Sequence, residues 1–223
     1  MNWITESVKR SNKLRNHYKM HEIDIFIKDP LSKGVDPDLV FSTFKRLVPV
    51  HLMAGVDIIY IGQFDVFKEK QVNAVFQDGA IYVSNNQDSD EDMIDDIIHE
   101  LAHSVEERFT ELIYNDNTLK REFLGKRKRL YDLLSAYKYN PPPSLSTDYH
   151  YDQKIDHYFY SDVGYDAMWN LINGLFPSPY SCTSLREYFA IGFEYYFMKE
   201  KKIIKDLCPI LYSKLEALEF MED

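Results

Sequence analysis

Two histidines four positions apart, with a glutamate directly after the first, stand near the middle of the chain in His99-Glu100-Leu101-Ala102-His103. On a helix, positions i and i+4 share a face, so both imidazoles can offer a nitrogen to one ion while Glu100 stands beside a water that the ion holds. Imidazole nitrogens, joined by one further protein donor, are what zinc takes at catalytic centres, where the fourth position stays open for water. The chemistry this supports is hydrolysis, with Glu100 as the base that draws a proton from the water. The five residues alone also fit a plainer reading, two solvated or packed histidines on an ordinary amphipathic helix. A third ligand has to decide.

The element that must position these groups is a helix over Asp90 to Phe109. Ile94, Ile97, Ile98, Leu101, Val105 and Phe109 recur every three or four residues as an apolar stripe, while Asp92, Asp95, Asp96, His99, His103 and Glu106 gather on another face. Ser89 followed by Asp92 fits a capping box, and the acidic run from Asp88 to Asp92 suits the positive end of a helix dipole.

A third histidine on the extended zinc pattern is excluded, because Glu106 and Phe109 occupy the positions where its Gly and His would fall. Among later residues Glu187 is the leading candidate, opening Glu187-Tyr188-Phe189-Ala190 on an aromatic-rich helix. Ser184 and Glu187 are also spaced as a capping box, so the same carboxylate can be read as closing its own helix. His150 and His157, in a tyrosine-rich stretch, are weaker ligand candidates. Glu106 can be read either as orienting His103 or as a solvated glutamate.

These residues resemble a family, that of the anthrax lethal factor catalytic domain and its relatives, including the secreted Pro-Pro endopeptidases. Its members combine HExxH with a later Glu-aromatic-Phe-Ala helix and a catalytic Tyr seven residues before that Glu, which here is Tyr180. The likeness extends to Phe193, Tyr195-Tyr196 and Cys208-Pro209. It is loose over Val72 to Ser84 and good over Asp90 to Phe109 and Tyr180 to Leu218. The resemblance implies zinc held by His99, His103 and Glu187, Glu100 as the base, and Tyr180 donating a hydrogen bond to the oxyanion. The chain departs from the family in the spacing of about 80 residues between His103 and Glu187, which reads as an insertion over about 115–160, and in lacking a secretion signal.

The remaining elements follow from local pattern. Residues 1–21 read as a helix or arm, Glu22 to Ile27 as a half-buried strand, and Asp38 as the cap of a short helix to about Val48. Val56 to Ile61 reads as a buried strand and Phe64 to Lys70 as a connection. Asp78-Gly79 is a type I′ turn signal between two strands, pairing Phe76 with Ile81 and Ala74 with Val83. Val72, Ala74, Phe76, Ile81 and Val83 then share one face, and Asn73, Gln77 and Ser84 the wetter one. Thr118 to about Tyr139 reads as a second long helix with a solvated basic face, and Pro141-Pro142-Pro143 as the start of a loop through about Asp152. Further helices are expected over Asp166 to Leu175, Ser184 to Lys199 and Pro209 to Met221.

With 223 residues, 45% of them hydrophobic, the chain can bury a core of its own. No apolar run reaches the roughly 20 residues of a membrane helix, the N-terminus has no signal-like apolar core, and two cysteines do not make a disulfide scaffold. These point to a cytoplasmic protein. A net charge of −10 disfavours nucleic acid as a partner.

The expected fold is α+β and zincin-like: a single metallopeptidase domain over 1–223, with a small twisted sheet and the metal helix in 1–110 and a mainly helical lobe in 111–223. The expected function is zinc-dependent endopeptidase, a peptide or protein substrate lying along the hairpin edge in a cleft between the lobes. One rival is a catalytically silent relative that binds or assembles; the intact Glu100 argues against it, since a degenerate copy has no chemical reason to retain the base. Another is a closed structural zinc site, for which the sequence offers no obvious fourth ligand.

Overall fold

The computed structural model describes residues 17–221, so the N-terminal arm falls almost wholly outside the described residues. The chain is α+β and forms two compact units, 1–101 and 102–223, whose boundary lies inside one helix, between Leu101 and Ala102.

The first unit is built on a mixed sheet. Strands β1 (His17–Met20) and β2 (Ile23–Ile27) form an antiparallel pair. Helices α1 (Pro37–Leu47) and α2 (Val50–Met53) then lead to β3 (Ile58–Ile61), parallel to β2. Helix α3 (Asp65–Lys70) precedes the hairpin of β4 (Ala74–Gln77) and β5 (Ala80–Val83). The strand order is β1-β2-β3-β5-β4, with β5 parallel to β3 and β4 on an open edge. Alternation does the sorting: Ile23, Ile25, Ile27, Ile59, Ile61, Ile81 and Val83 are buried. Phe26, Tyr60 and Tyr82, opposite one another in register, stack on the other face at centroid distances of 6.0 and 5.3 Å.

The hairpin has the expected register, Phe76 against Ile81 and Ala74 against Val83. Asp78 and Gly79 have φ of 51° and 76°, the left-handed pair that a type I′ turn requires. Two neighbours depart from expectation. Val72 lies before β4 and is exposed, while Ser84 is buried, its Oγ accepting from Asn86 N and Gln63 Nε2, both at 3.2 Å. Phe64 to Lys70 is not a plain connection, since Asp65–Lys70 makes a turn and a half of helix that ends at Gln71 in the left-handed region. Helix α1 is capped by Asp36 rather than Asp38, its carboxylate accepting from Asp38 N at 3.0 Å; Pro37, with no N–H and a helix-ready φ, fills the first position. The Asp36 N–H in turn donates to Asp90 Oδ1 at 2.6 Å, fastening this cap to the start of α4 (Asp90–Arg108).

The second unit holds the rest of α4 and the following helices: α5 (Thr110–Tyr114), α6 (Thr118–Ala136), α7 (Gln153–His157), α8 (Tyr165–Ile172), α9 (Leu185–Met198), α10 (Lys201–Leu207) and α11 (Pro209–Glu219). Helix α9 is buried along nearly its whole length. Glu122 of α6 ties three elements together, accepting from Tyr188 Oη at 2.9 Å and from the otherwise unsatisfied N–H groups of Ile210 and Leu211 at the start of α11.

The basic face of α6 is not simply solvated. Arg127 is fully buried, donating to Asp148 O at 2.7 Å, and Lys126 donates to Leu175 O and Leu207 O at 2.8 and 2.7 Å. Burial lowers the Arg127 pKa to about 10. The proline stretch is not all loop: Pro143–Ser146 is a 3-10 turn that buries Leu145. Tyr158–Val163 continues α7 as a π-helical segment, a feature without a period in the sequence to announce it. No described helix is long and apolar enough to cross a membrane.

Candidate metal centre

Helix α4 begins as expected, with Asp92 N donating to Ser89 Oγ at 3.2 Å and acids in its first turn. Ile94, Ile97, Ile98, Leu101 and Val105 are buried. The opposite face is drier than a solvated helix face, for Glu100, His103 and Ser104 are buried as well. Polar groups withdrawn from water need partners; Glu100 and His103 have them, and the Ser104 hydroxyl makes no hydrogen bond among the described residues.

One ligand atom from each of His99, His103 and Glu187 lies within 4.8 Å of the other two. His103 Nε2 and Glu187 Oε1 are 3.8 Å apart, both nearly out of solvent. That is too long for a hydrogen bond and short enough for both to reach one ion through bonds of about 2 Å. Two nitrogens and a carboxylate oxygen gathered in this way are a donor set that can hold a metal ion. The cap of α9 does not use up Glu187, because Ser184 Oγ accepts from the Glu187 backbone N at 3.1 Å and the carboxylate faces His103. His150 and His157 do not join the group; His150 Nδ1 pairs with Asp148 at 2.9 Å, and His157 Nδ1 lies 3.4 Å from Ser161 Oγ.

His103 is held from behind. Its Nδ1 accepts from Arg186 Nε at 3.0 Å, and Glu106 Oε2 lies 3.6 Å from it, outside hydrogen-bond reach. Glu106 is fixed in turn by Tyr114 Oη, donating to Oε1 at 2.5 Å, and by Arg186 Nε, 3.6 Å from Oε2. Burial, and then the Glu106 carboxylate beside it, hold the Tyr114 hydroxyl protonated well above the usual tyrosine range. A histidine that ligates through Nε2 carries its proton on Nδ1 and needs an acceptor there; here Arg186 Nε donates to that nitrogen, and Glu106 Oε2, the nearest carboxylate, stands 3.6 Å away. Sequence reasoning singled out Glu106 but neither Arg186 nor Tyr114. Arg186 carried a usable signal, a cation next to the one candidate carboxylate ligand.

No family model, curated protein or solved structure matches this chain. The site therefore has to be read from its own chemistry.

Glu100 is tied to the sheet of its unit. Its Oε2 accepts from the Phe76 backbone N at 2.6 Å. Phe76 faces Ile81 across a non-hydrogen-bonded pair, so its N–H points out from the open side of β4, where the carboxylate meets it. One helical turn earlier, Asp96 Oδ2 accepts from Gln87 Nε2 at 2.7 Å. Burial pushes the Asp96 carboxyl up to about 6, against the lowering effect of Gln87 and His99. Tyr180 lies on the 3-10 turn Tyr180–Cys182, about one-third exposed, in the same unit as His103 and Glu187. Cys182 and Cys208 are free and buried; desolvation raises both thiols, that of Cys208 to about 11, which leaves neither as a ready nucleophile.

Proposed function

We propose that the chain is a zinc-dependent endopeptidase of zincin-like fold, related to the lethal factor and Pro-Pro endopeptidase group that its motifs resemble. The carrying observation is the convergence of His99, His103 and Glu187, with Glu100 on the same helix as the two histidines. Zinc, when bound, supplies a Lewis acid that polarises the scissile carbonyl and makes water acidic enough to give up a proton near neutral pH. Glu100 takes that proton and passes it to the leaving amine. Its bond from Phe76 fixes one carboxylate oxygen and leaves the other for proton transfer. Tyr180, by the family resemblance, donates to the oxyanion, a contribution of about 3 kcal/mol at comparable sites. Arg186, donating to His103 Nδ1, sets the His103 ring, and Glu106, steadied by Arg186 and Tyr114, is the carboxylate nearest that nitrogen. The open edge of β4 offers backbone groups to an extended peptide.

One observation favours a second reading, a silent metal-binding relative: Glu100 has a structural use on β4 whether or not it moves protons. A randomised peptide library read by mass spectrometry separates the two. Zinc-loaded wild type is expected to cut, Glu100→Gln to retain zinc and lose turnover by about a thousandfold or more, and Glu187→Ala to lose the zinc itself. Equal cutting by wild type and Glu100→Gln would end the peptidase reading, and equal zinc content in wild type and Glu187→Ala would remove Glu187 as a ligand.

A further inference from the structure

Beside Glu187, within the unit of residues 102–223, opens a cavity of about 380 Å³, inside the size range of small-molecule sites. Its wall includes Tyr114, Lys120, Tyr149, Tyr151 and Arg186, none of which the hydrolytic chemistry employs directly. The wall is fixed: Leu185 N donates to Tyr149 O at 2.8 Å, which fastens the tyrosine stretch to the first turn of α9.

The charges decide what fits. Glu106 and Glu187 both line the cavity, but Glu106 is matched by Arg186 and Tyr114, and Glu187 belongs to the metal donor set. Lys120 is different. Its ammonium lies 3.8 Å from the Tyr149 ring centroid, and no carboxylate of the described residues pairs with it. An apolar side chain placed here would strip water from Lys120 without replacing its partner, and a basic one would meet like charge. A carboxylate on a short apolar stem satisfies both the ammonium and the aromatic walls.

We propose, building on the peptidase reading, that this cavity selects the substrate by taking one of its carboxylates, with Lys120 as the charge partner and Tyr149 as the ring on which that ammonium is held. A glutamate side chain and a chain-terminal carboxylate share this chemistry, and the test separates them.

Zinc-loaded, full-length Glu100→Gln protein cannot turn substrate over, so equilibrium binding can be read by fluorescence anisotropy. The probes are dye-labelled Ala-Glu-Ala-amide, its Gln and Lys counterparts, and Ala-Gln-Ala with a free terminal carboxylate. The Glu peptide is expected to bind about tenfold tighter than the Gln peptide. That margin should vanish on adding Lys120→Ala, survive Lys120→Arg, and turn in favour of the Lys peptide with Lys120→Glu. A margin seen only for the free-terminus peptide, and lost in Lys120→Ala, identifies the chain end as the source of the carboxylate. Equal binding of all four probes, or a margin indifferent to every Lys120 variant, overturns the assignment. Failure of the peptidase reading looks different: wild type would hold the carboxylate probe and cut nothing in the library.

Discussion

Asp96 stands one turn before Glu100, and its raised pKa has a definite sign for stability. Since its folded value of about 6 exceeds the ordinary aspartate value of about 3.9, the neutral form is the one the fold favours. Whatever stability it contributes is complete below about pH 4 and is lost as pH rises through about 6. Asparagine keeps an oxygen for Gln87 and cannot ionise. In metal-free protein, Asp96→Asn is therefore expected to be more stable than wild type at pH 7, by about 3 kcal/mol. The difference should close below pH 4, as followed by urea unfolding across that range. An unchanging difference from pH 4 to pH 8 would show that Asp96 does not titrate in this window.

Among the elements, α9 and α11 meet where there is no room to spare. A Cβ added at Gly192 would overlap Leu211 Cδ2, whose side chain is fully buried. Alanine is the better helix former by about 1 kcal/mol, yet overpacking a filled core costs about 1–3 kcal/mol. Gly192→Ala is accordingly expected to lower the urea midpoint, and a rise would mean that Leu211 yields freely. Elements with a strong period or a specific turn were legible from residues alone: the stripe of α4, the Asp78-Gly79 hairpin with its register, and the aromatic α9. Arg127 was misread as part of a solvated basic face because its charge disguises its place on the apolar stripe. Leu119, Phe123, Arg127, Leu130 and Leu134 fall on one helical face, and all five are buried. The three metal-donor residues were readable because two sit at helical spacing and the third opens an aromatic helix. What surrounds them was not. Contacts such as Phe76 to Glu100 and Lys120 to Tyr149 join residues far apart in sequence, and no local pattern encodes such a meeting.

For the molecule as a whole, the metal donor set should report on folding. A ligand that binds the folded chain alone stabilises it by about 2.7 kcal/mol at a hundred times its dissociation constant. Zinc added to metal-free wild type is expected to raise the melting temperature, and Glu187→Ala to flatten that response; an equal rise in both would place the binding elsewhere. The net charge of −10 acts in the opposite sense to the cavity around Lys120. Long-range repulsion slows the approach of acidic peptides while the local cation retains them, a combination that favours discrimination over speed. Finally, the bond from Phe76 to Glu100 bears on how the chain can change over generations. On the peptidase reading proposed above, a lineage that abandoned hydrolysis would still leave an outward N–H on the edge of β4 in need of an acceptor. Drift at position 100 would then be channelled toward glutamine before alanine, because the sheet makes its own demand on that side chain whatever chemistry it serves.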